Sequence, residues 1–356
     1  MSHSVYFCNY SVGPEAYREA AKVCRPYGVR ALLIGGQRAL AAGQARLREA
    51  LAGSGVEIAE AALYGGDCTA ANIEKWAARA KEIGAEMIFG MGGGRALDTA
   101  KGAAHAAGLP VFTFPTIAAT CAGTTALSVL YREDGAFDRY LFFPRPPRHC
   151  FLDLSILAGA PAEYLRAGIG DTLAKFFECR FSSRGDVLDH SSALGREISA
   201  MCYGPLRDHG VQALEDCRAG RVSHSLEQAA LAVVVSTGLV SLLVLDDYNG
   251  GAAHSVYYGL VLLPGFEERF LHGSVVAYGV LVQLAVDQDW DRARELKEFL
   301  RSLEIPSTLR EMEVPLNRET LAPVLKEAVA SPDMAHIPYP ITEDMLYQAM
   351  EAVEAL

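Results

Sequence analysis

Residues 89–101, FGMGGGRALDTAK, constrain the fold more than any other stretch of the chain. An apolar run, Glu86-Met87-Ile88-Phe89, leads into the consecutive glycines Gly92, Gly93 and Gly94. Behind them Ala96, Leu97, Ala100, Ala103 and Ala104 recur at helical spacing, which turns small apolar residues inward. A strand, a bare-backbone turn and a helix start fit that order. Glycine lets the main chain approach an anion, and the free N–H groups of the first helical turn point at it. A tight packing turn has the same composition, so the neighbouring sequence has to separate the two.

Strand-like runs at 4–9, 30–34, 56–63, 86–91 and 109–114 alternate with helical spacing at 14–24, 38–52, 69–83 and 95–107. Gly35-Gly36 and Gly65-Gly66 follow two of the strands, Pro115 closes another, and Asp67 or Thr69 is placed to cap a helix. This alternation predicts βαβ units and a parallel sheet, with ligands bound beyond the carboxyl ends of the strands. The glycines at 92–94 sit at such an end. Strands at 126–131 and 139–143 flank a turn at Glu133-Asp134-Gly135, and a last strand spans 149–154. From Pro161 onward only helical periodicity remains. The expected organisation is α/β: a parallel-sheet domain over residues 1–158 and an all-α domain over residues 159–356.

A length of 356 residues also favours two domains, and 51% hydrophobic residues suffice for sizeable cores. A net charge of −11 without a Lys/Arg-rich run argues against nucleic acid or a membrane surface as partner. The eight cysteines are scattered without a C-x-x-C, which excludes a zinc ribbon, offers no disulfide framework and points to a reducing cytoplasm. The N-terminal MSHSVYFCNY has no basic region and no long apolar core, so no signal peptide is expected. The longest uncharged stretch, 228–245, contains Ser236, Thr237 and Ser241 and falls short of the roughly 20 residues of a bilayer span; it reads as a buried core helix.

Side chains that can do chemistry concentrate in the helical half. Asp171 lies in Gly168-Ile169-Gly170-Asp171, His254 follows Gly250-Gly251-Ala252-Ala253, and His272 stands in Phe270-Leu271-His272-Gly273. Pro264-Gly265 puts the two histidines on different elements. An Asp and two His from three elements can bind a divalent metal and leave a position open for a substrate oxygen. Isolated histidines on apolar faces also serve as hydrogen-bonded core residues. Lys175 follows Asp171 by four residues, so on a helix the two share a face, as an ion pair or with the lysine as a cation in the same pocket. Residues 114–128 carry Thr116, Thr120, Thr124, Thr125 and Ser128 among small residues after a strand end, fit to line a ligand or to form a polar connection.

Five segments in this order, GGGRALDTAK (92–101), PTIAATCAGTTALSVLY (115–131), GIGDTLAK (168–175), GGAAHSVYYGL (250–260) and FLHGSVVAYGVLVQ (270–283), resemble the iron-containing, metal-dependent alcohol dehydrogenase superfamily in its glycerol dehydrogenase branch. Within that branch the likeness is greatest to the hydroxycarboxylate dehydrogenase A type, which reduces 2-oxo acids. The glycine spacing, GGG-x-x-x-D-x-x-K, differs from the G-x-G-x-x-G of common dinucleotide folds. The resemblance implies a dehydroquinate synthase-like fold, with a Rossmann-like dinucleotide-binding domain, a helical metal and substrate domain, and the active site in the cleft between them. It implies that Gly93, Gly94, Arg95 and Asp98 surround the cofactor pyrophosphate, that Thr116, Thr120, Thr125, Leu127 and Tyr131 line the adenine–nicotinamide path, and that Asp171, His254 and His272 ligate one divalent metal, zinc rather than iron. The implied reaction polarises an alcohol or carbonyl oxygen at the metal while hydride passes to or from C4 of NAD or NADP. The expected partners are a small-molecule substrate and further copies of the chain, in the cytoplasm.

Four positions depart from the family pattern. Cys121 stands where glycerol dehydrogenases have an Asp that hydrogen-bonds a substrate hydroxyl, and a thiol replaces it poorly. The usual H-x-x-H-N-G becomes His254-Ser-Val-Tyr257-Tyr258-Gly259, leaving Tyr257 as a proton donor with an ordinary pKa of about 10. Lys175 occupies a position where some relatives place another metal-binding His; it is expected to hold the carboxylate of a 2-oxo acid, or to replace the metal as the electrophile. The strand ending at Ile34 runs into Gly35-Gly36-Gln37-Arg38 where NAD-preferring relatives often carry an acid, so Arg38 is a candidate partner for the 2′-phosphate of NADP. The leading expectation is an NAD(P)-dependent oxidoreductase that interconverts a small 2-oxo acid and its 2-hydroxy acid. The alternatives are a glycerol dehydrogenase-like polyol or alcohol dehydrogenase, a lyase-type cyclase like dehydroquinate synthase, and a binding protein of the same fold with altered catalysis.

Overall fold

The inner strands of the sheet are apolar on both faces, the pattern of strands covered on each side by helices. The structure, a computed structural model, describes residues 4–356. Its strands are β1 (Asn9–Gly13), β2 (Arg30–Gly35), β3 (Glu57–Leu63), β4 (Met87–Gly92), β5 (Val111–Pro115), β6 (Leu127–Tyr131), β7 (Phe137–Phe142) and β8 (His149–Asp153). Six form one parallel sheet in the order β1-β8-β5-β4-β2-β3, while β6 and β7 pair antiparallel as a separate hairpin.

Alternation along β4 divides the core. Met87, Phe89 and Met91 join Leu33, Phe112, Phe114 and Phe151 under Leu47 and Tyr17 on one face. Ile88 joins Leu32 and Ile34 under Trp76, Ala100 and Ala103 on the other. Helix Gln37–Leu51 therefore covers one face, and helices Ala70–Glu82 and Gly94–Ala107 cover the other. Connections from β2 and β4 leave in opposite directions along the sheet, to β3 and to β5. Their carboxyl ends thus flank a topological switch point, where open α/β sheets bind ligands.

Two details differ from the sequence reading. Residues 4–8 lie outside any strand, and β1 starts at Asn9 because β8, its partner, offers a register only from Asn9↔His149 to Gly13↔Asp153. The chain divides into two compact units, Met1–Pro161 with Glu215–Leu242 and Ala162–Leu214 with Leu243–Leu356. Residues 215–242, expected within the helical domain, thus belong with the sheet. The Cys217 thiol donates to Leu157 O and Ala160 O, and Thr124 Oγ1 donates to Val234 O at 2.6 Å inside the π-helical turn Ala232–Ser236. A Cβ on Gly238 would stand 2.0 Å from Thr124 Oγ1, so glycine is what lets that hydroxyl reach the carbonyl. The apolar helical stretch His224–Leu243 is 20 residues long and mostly buried, as a core helix is.

The second unit is helical. Its central helix, His272–Val286, is buried from Gly273 to Val286 and packs against Ala162–Ser182, Ala252–Leu260 and Glu343–Ala355. Glycines set how close these helices come. A Cβ on Gly273 would lie 2.0 Å from Ala167 O, one on Gly170 2.3 Å from Gly273 O, and one on Gly279 2.3 Å from Ala253 O. The three helices therefore cross with backbone touching backbone.

Candidate active site

In the first unit, Gly92 turns the chain with φ +146°, a value that side chains rarely adopt. Gly93 then takes the N-cap position of helix Gly94–Ala107 without any side-chain cap, so the first N–H groups of the helix lack a side-chain acceptor. The loop after β5 folds over this turn. Thr116 N–H donates to Gly92 O at 3.2 Å, Ile117 lies against Gly93, and a Cβ on Gly94 would meet Thr120 Oγ1 at 3.4 Å. Arg95 is exposed, pairs with Asp67 at 2.6 Å and lies over the Tyr131 ring at 4.8 Å. Gly93, Gly94, Arg95, Thr116, Thr120 and Tyr131 thus gather around one helix start, whose first N–H groups could hold an anion.

Asp98, Thr125 and Leu127, expected beside the cofactor, meet at a brace behind the same helix start. Lys101 Nζ pairs with Asp98 Oδ1 at 2.9 Å and donates to Thr125 Oγ1 at 3.2 Å and to Leu127 O, while Asp98 Oδ2 accepts from Val129 N–H at 3.1 Å. Asp98 and Lys101, three residues apart on one helical face, thereby tie β6 to the helix that starts at the glycines. Cys121 is half-buried in the same loop, and Thr124 N–H donates to its carbonyl at 2.9 Å. Arg38 is exposed in the first turn of helix Gln37–Leu51, beyond the end of β2.

In the second unit, the glycine crossings bring Asp171, His254 and His272 together. A Cβ on Gly273 would also lie 2.9 Å from Asp171 Cβ, which measures how near the start of one helix lies to the carboxylate of the other. His254 Nε2 and His272 Nε2 each stand 3.4 Å from Asp171 Oδ1. One ligand atom from each residue lies within 4.8 Å of the others. Donors about 2.0–2.2 Å from a tetrahedral zinc stand roughly 3.3–3.6 Å apart, so both oxygen–nitrogen separations suit a divalent ion, and three donors leave a fourth position open. His272 is the most open of the three, its side chain 40% exposed.

Burial alone would raise the Asp171 carboxyl, but hydrogen bonds from His254 and His272 hold it well below the usual carboxylate range. Burial likewise opposes a charge on His254, yet Glu178 and Asp171 push its pKa well above the ordinary histidine value. Asp333 also borders this group; burial raises its pKa against His254 and Lys175, and Tyr258 donates to it.

Lys175 is held by Asn249 rather than by Asp171. Among the described residues it forms no ion pair with Asp171; its buried ammonium donates to Asn249 O at 2.6 Å and Asn249 Oδ1 at 3.1 Å. The physical reason is competition: Asp171 is already shared by two imidazoles, and a backbone carbonyl backed by an amide offers the lysine two acceptors. Tyr257 stands edge-on to the His272 ring with centroids 4.3 Å apart. Sequence reading missed Glu178, which is fully buried two helical turns after Asp171 and accepts from both the backbone and the ring of His254. Its only sequence signal is the seven-residue spacing from Asp171, which returns to the same helical face.

Known proteins resemble this chain along most of its length. The family described as iron-containing alcohol dehydrogenase matches residues 9–154. A glycerol dehydrogenase of Escherichia coli O6:H1 is 34% identical over 282 residues, covering 78% of this chain and 75% of that protein. Hydroxycarboxylate dehydrogenase A of Escherichia coli K12 is 35% identical over 329 residues, 92% of this chain and 90% of that one. The crystal structure of glycerol dehydrogenase from Schizosaccharomyces pombe aligns with a TM-score of 0.88 at 26% identity, covering 99% of this chain and 91% of that chain. With identity sustained across both units, this chain belongs to the iron-containing alcohol dehydrogenase family and is an oxidoreductase of CH–OH donors.

Proposed function

We propose that the protein is a dehydrogenase of small polyols and simple alcohols, using a nicotinamide dinucleotide at the glycine turn and one divalent metal at Asp171, His254 and His272. The observation that carries this reading is the three-residue donor cluster, with both imidazole Nε2 atoms 3.4 Å from one carboxylate oxygen. When bound, the ion supplies Lewis acidity toward a substrate oxygen. The remaining work falls to the chain. The uncapped helix start and Arg95 bind the pyrophosphate, and Thr116 and Thr120 hold the loop against that turn. Tyr257 packs edge-on against His272, which limits the ring's rotation, and its hydroxyl is our candidate for exchanging the substrate proton.

A second reading, reduction of small 2-oxo acids, is favoured by Cys121, which lacks the carboxylate that accepts a hydroxyl in glycerol dehydrogenases. It is weakened by Lys175, whose ammonium is engaged with Asn249. One panel separates the two: NAD(P)⁺ reduction with glycerol, 1,2-propanediol and ethanol, against NAD(P)H oxidation with 2-oxobutyrate and oxaloacetate, with and without Zn²⁺, Fe²⁺ or Mn²⁺. Turnover of the alcohols that requires added metal supports the first reading; turnover of the 2-oxo acids alone replaces it with the second. Exposed Arg38 and the absence of an acid in residues 35–38 support use of NADP(H). Turnover with NADPH no better than with NADH would count against that.

A further inference from the structure

Glu178 is fully buried, and both of its oxygens serve one residue. Oε1 accepts the backbone N–H of His254 at 2.9 Å, and Oε2 meets His254 Nδ1 at 2.6 Å. The backbone contact has a local cause. Helix Ala252–Leu260 starts at Gly251, which has no side chain with which to cap it, so the N–H groups of its first turn need an acceptor from elsewhere. Glu178, on helix Ala162–Ser182, provides one. Gly251 makes this approach possible: a Cβ there would stand 3.2 Å from both Glu178 Cγ and Ser182 Oγ.

The ring contact follows from the same placement. A carboxylate oxygen only accepts, so His254 Nδ1 carries a hydrogen, which leaves Nε2, on the side of Asp171, as the ring nitrogen that can ligate a metal. Two bonds to one carboxylate, one from the main chain and one from the ring, restrict rotation about the His254 side chain as well as selecting the tautomer.

We infer that Glu178 is the positioning residue of the metal centre, a helix cap supplied by a neighbouring helix that also fixes the His254 ring in its ligating tautomer and orientation. This rests on the reading of Asp171, His254 and His272 as metal ligands. In a Glu178→Gln variant the amide can keep the backbone bond through its oxygen. Its NH₂ then faces Nδ1 and favours the tautomer with hydrogen on Nε2, which cannot ligate.

The test measures metal affinity directly, with the full-length protein and Zn²⁺ in competition with a chromogenic chelator. Wild type should bind one Zn²⁺ per chain, and Glu178→Gln should bind it about 10–100-fold more weakly, the loss expected when the carboxylate partner of a ligating His is removed. Equal zinc affinity in the two proteins, whatever their melting temperatures, overturns the inference, because a merely structural carboxylate would change stability and leave affinity intact. Failure of wild type to bind zinc, Fe²⁺ or Mn²⁺ at all brings down the metal reading itself and this inference with it. Should Glu178→Gln fail to fold, wild-type protein labelled with ¹⁵N-histidine decides the question. The zinc form should show a His254 ring protonated at Nδ1, and protonation at Nε2 overturns the assignment.

Discussion

Asp171 anchors the donor cluster by sharing one oxygen with two imidazoles, and that sharing sets what its neighbours do. Lys175, on the same helical face, turns to Asn249, and His254 is held from behind by Glu178. Replacing a ligand should therefore be more damaging than replacing a support. Asp171→Asn and His254→Ala should each lose metal retention and drop kcat/KM by more than about 10²-fold, since loss of a supporting partner alone costs about 10–100-fold; elemental analysis and steady-state kinetics check both. A second prediction concerns acid stability. His149 is buried at the start of β8, its Nε2 2.9 Å from Ser11 Oγ, and burial lowers its pKa from 6.5 to about 4. The unfolded chain then binds a proton that the folded chain refuses, so stability falls as pH drops from about 6.5 towards 4. A His149→Phe variant, which cannot take up that proton in either state, should show a shallower loss of Tm between pH 7 and pH 4.5 than wild type. The three residues of the donor cluster were legible one by one because small residues mark their surroundings. Glu178 and the partner of Lys175 were not, because a helix hides which of its polar side chains meets an element 74 or 76 residues away.

Glycine placement determines how closely the elements approach. Gly273, Gly170 and Gly279 allow three helices to touch along their backbones, and that contact, more than any side-chain interaction, brings Asp171 and His272 side by side. Gly273→Ala would put a methyl 2.0 Å from Ala167 O, and the helices would have to separate. Overpacking of this kind typically costs about 1–3 kcal/mol; the variant should melt lower and bind zinc more weakly, by calorimetry and chelator competition together. At the glycine turn the two effects should part. Gly94→Asp sets a carboxylate at the start of helix Gly94–Ala107, which favours the helix while repelling a pyrophosphate. We expect an unchanged or higher Tm with NADH affinity lowered by at least about tenfold, from one charge repulsion in a partly buried site; NADH fluorescence titration reads it. The strand and helix order of the first 154 residues was legible because each βα unit closes with its own glycine or proline signal. The place of β1 at Asn9–Gly13 was not, since it is set by β8, about 140 residues away in the chain.

At the scale of the molecule, the sequence reading sees one boundary near residue 158, where the strands run out. The structure has the chain return, with residues 215–242 packed into the unit that carries the sheet. Helical periodicity cannot reveal this, because an apolar helix looks alike whichever core it enters. The link is a threonine in a loop, Thr124, whose hydroxyl finds the Val234 carbonyl in a π-helical turn. A fragment ending at Pro161 should therefore be poorly soluble or loosely packed, with shallow thermal unfolding and exposed apolar surface by dye binding. A cooperative melt of that fragment would count against the returning segment as part of its core.

That returning segment also has a consequence in time. A nascent chain is made at about 5–20 residues per second. By the time Asp153 emerges, every strand of the sheet has been made, yet the helical piece that completes its unit is finished only at Leu242. For seconds that unit lacks one of its helical segments, and during that interval the start of the second unit, from Ala162 to Leu214, is already available. The order of synthesis thus interleaves the two units, and the first to begin cannot finish before the second has begun.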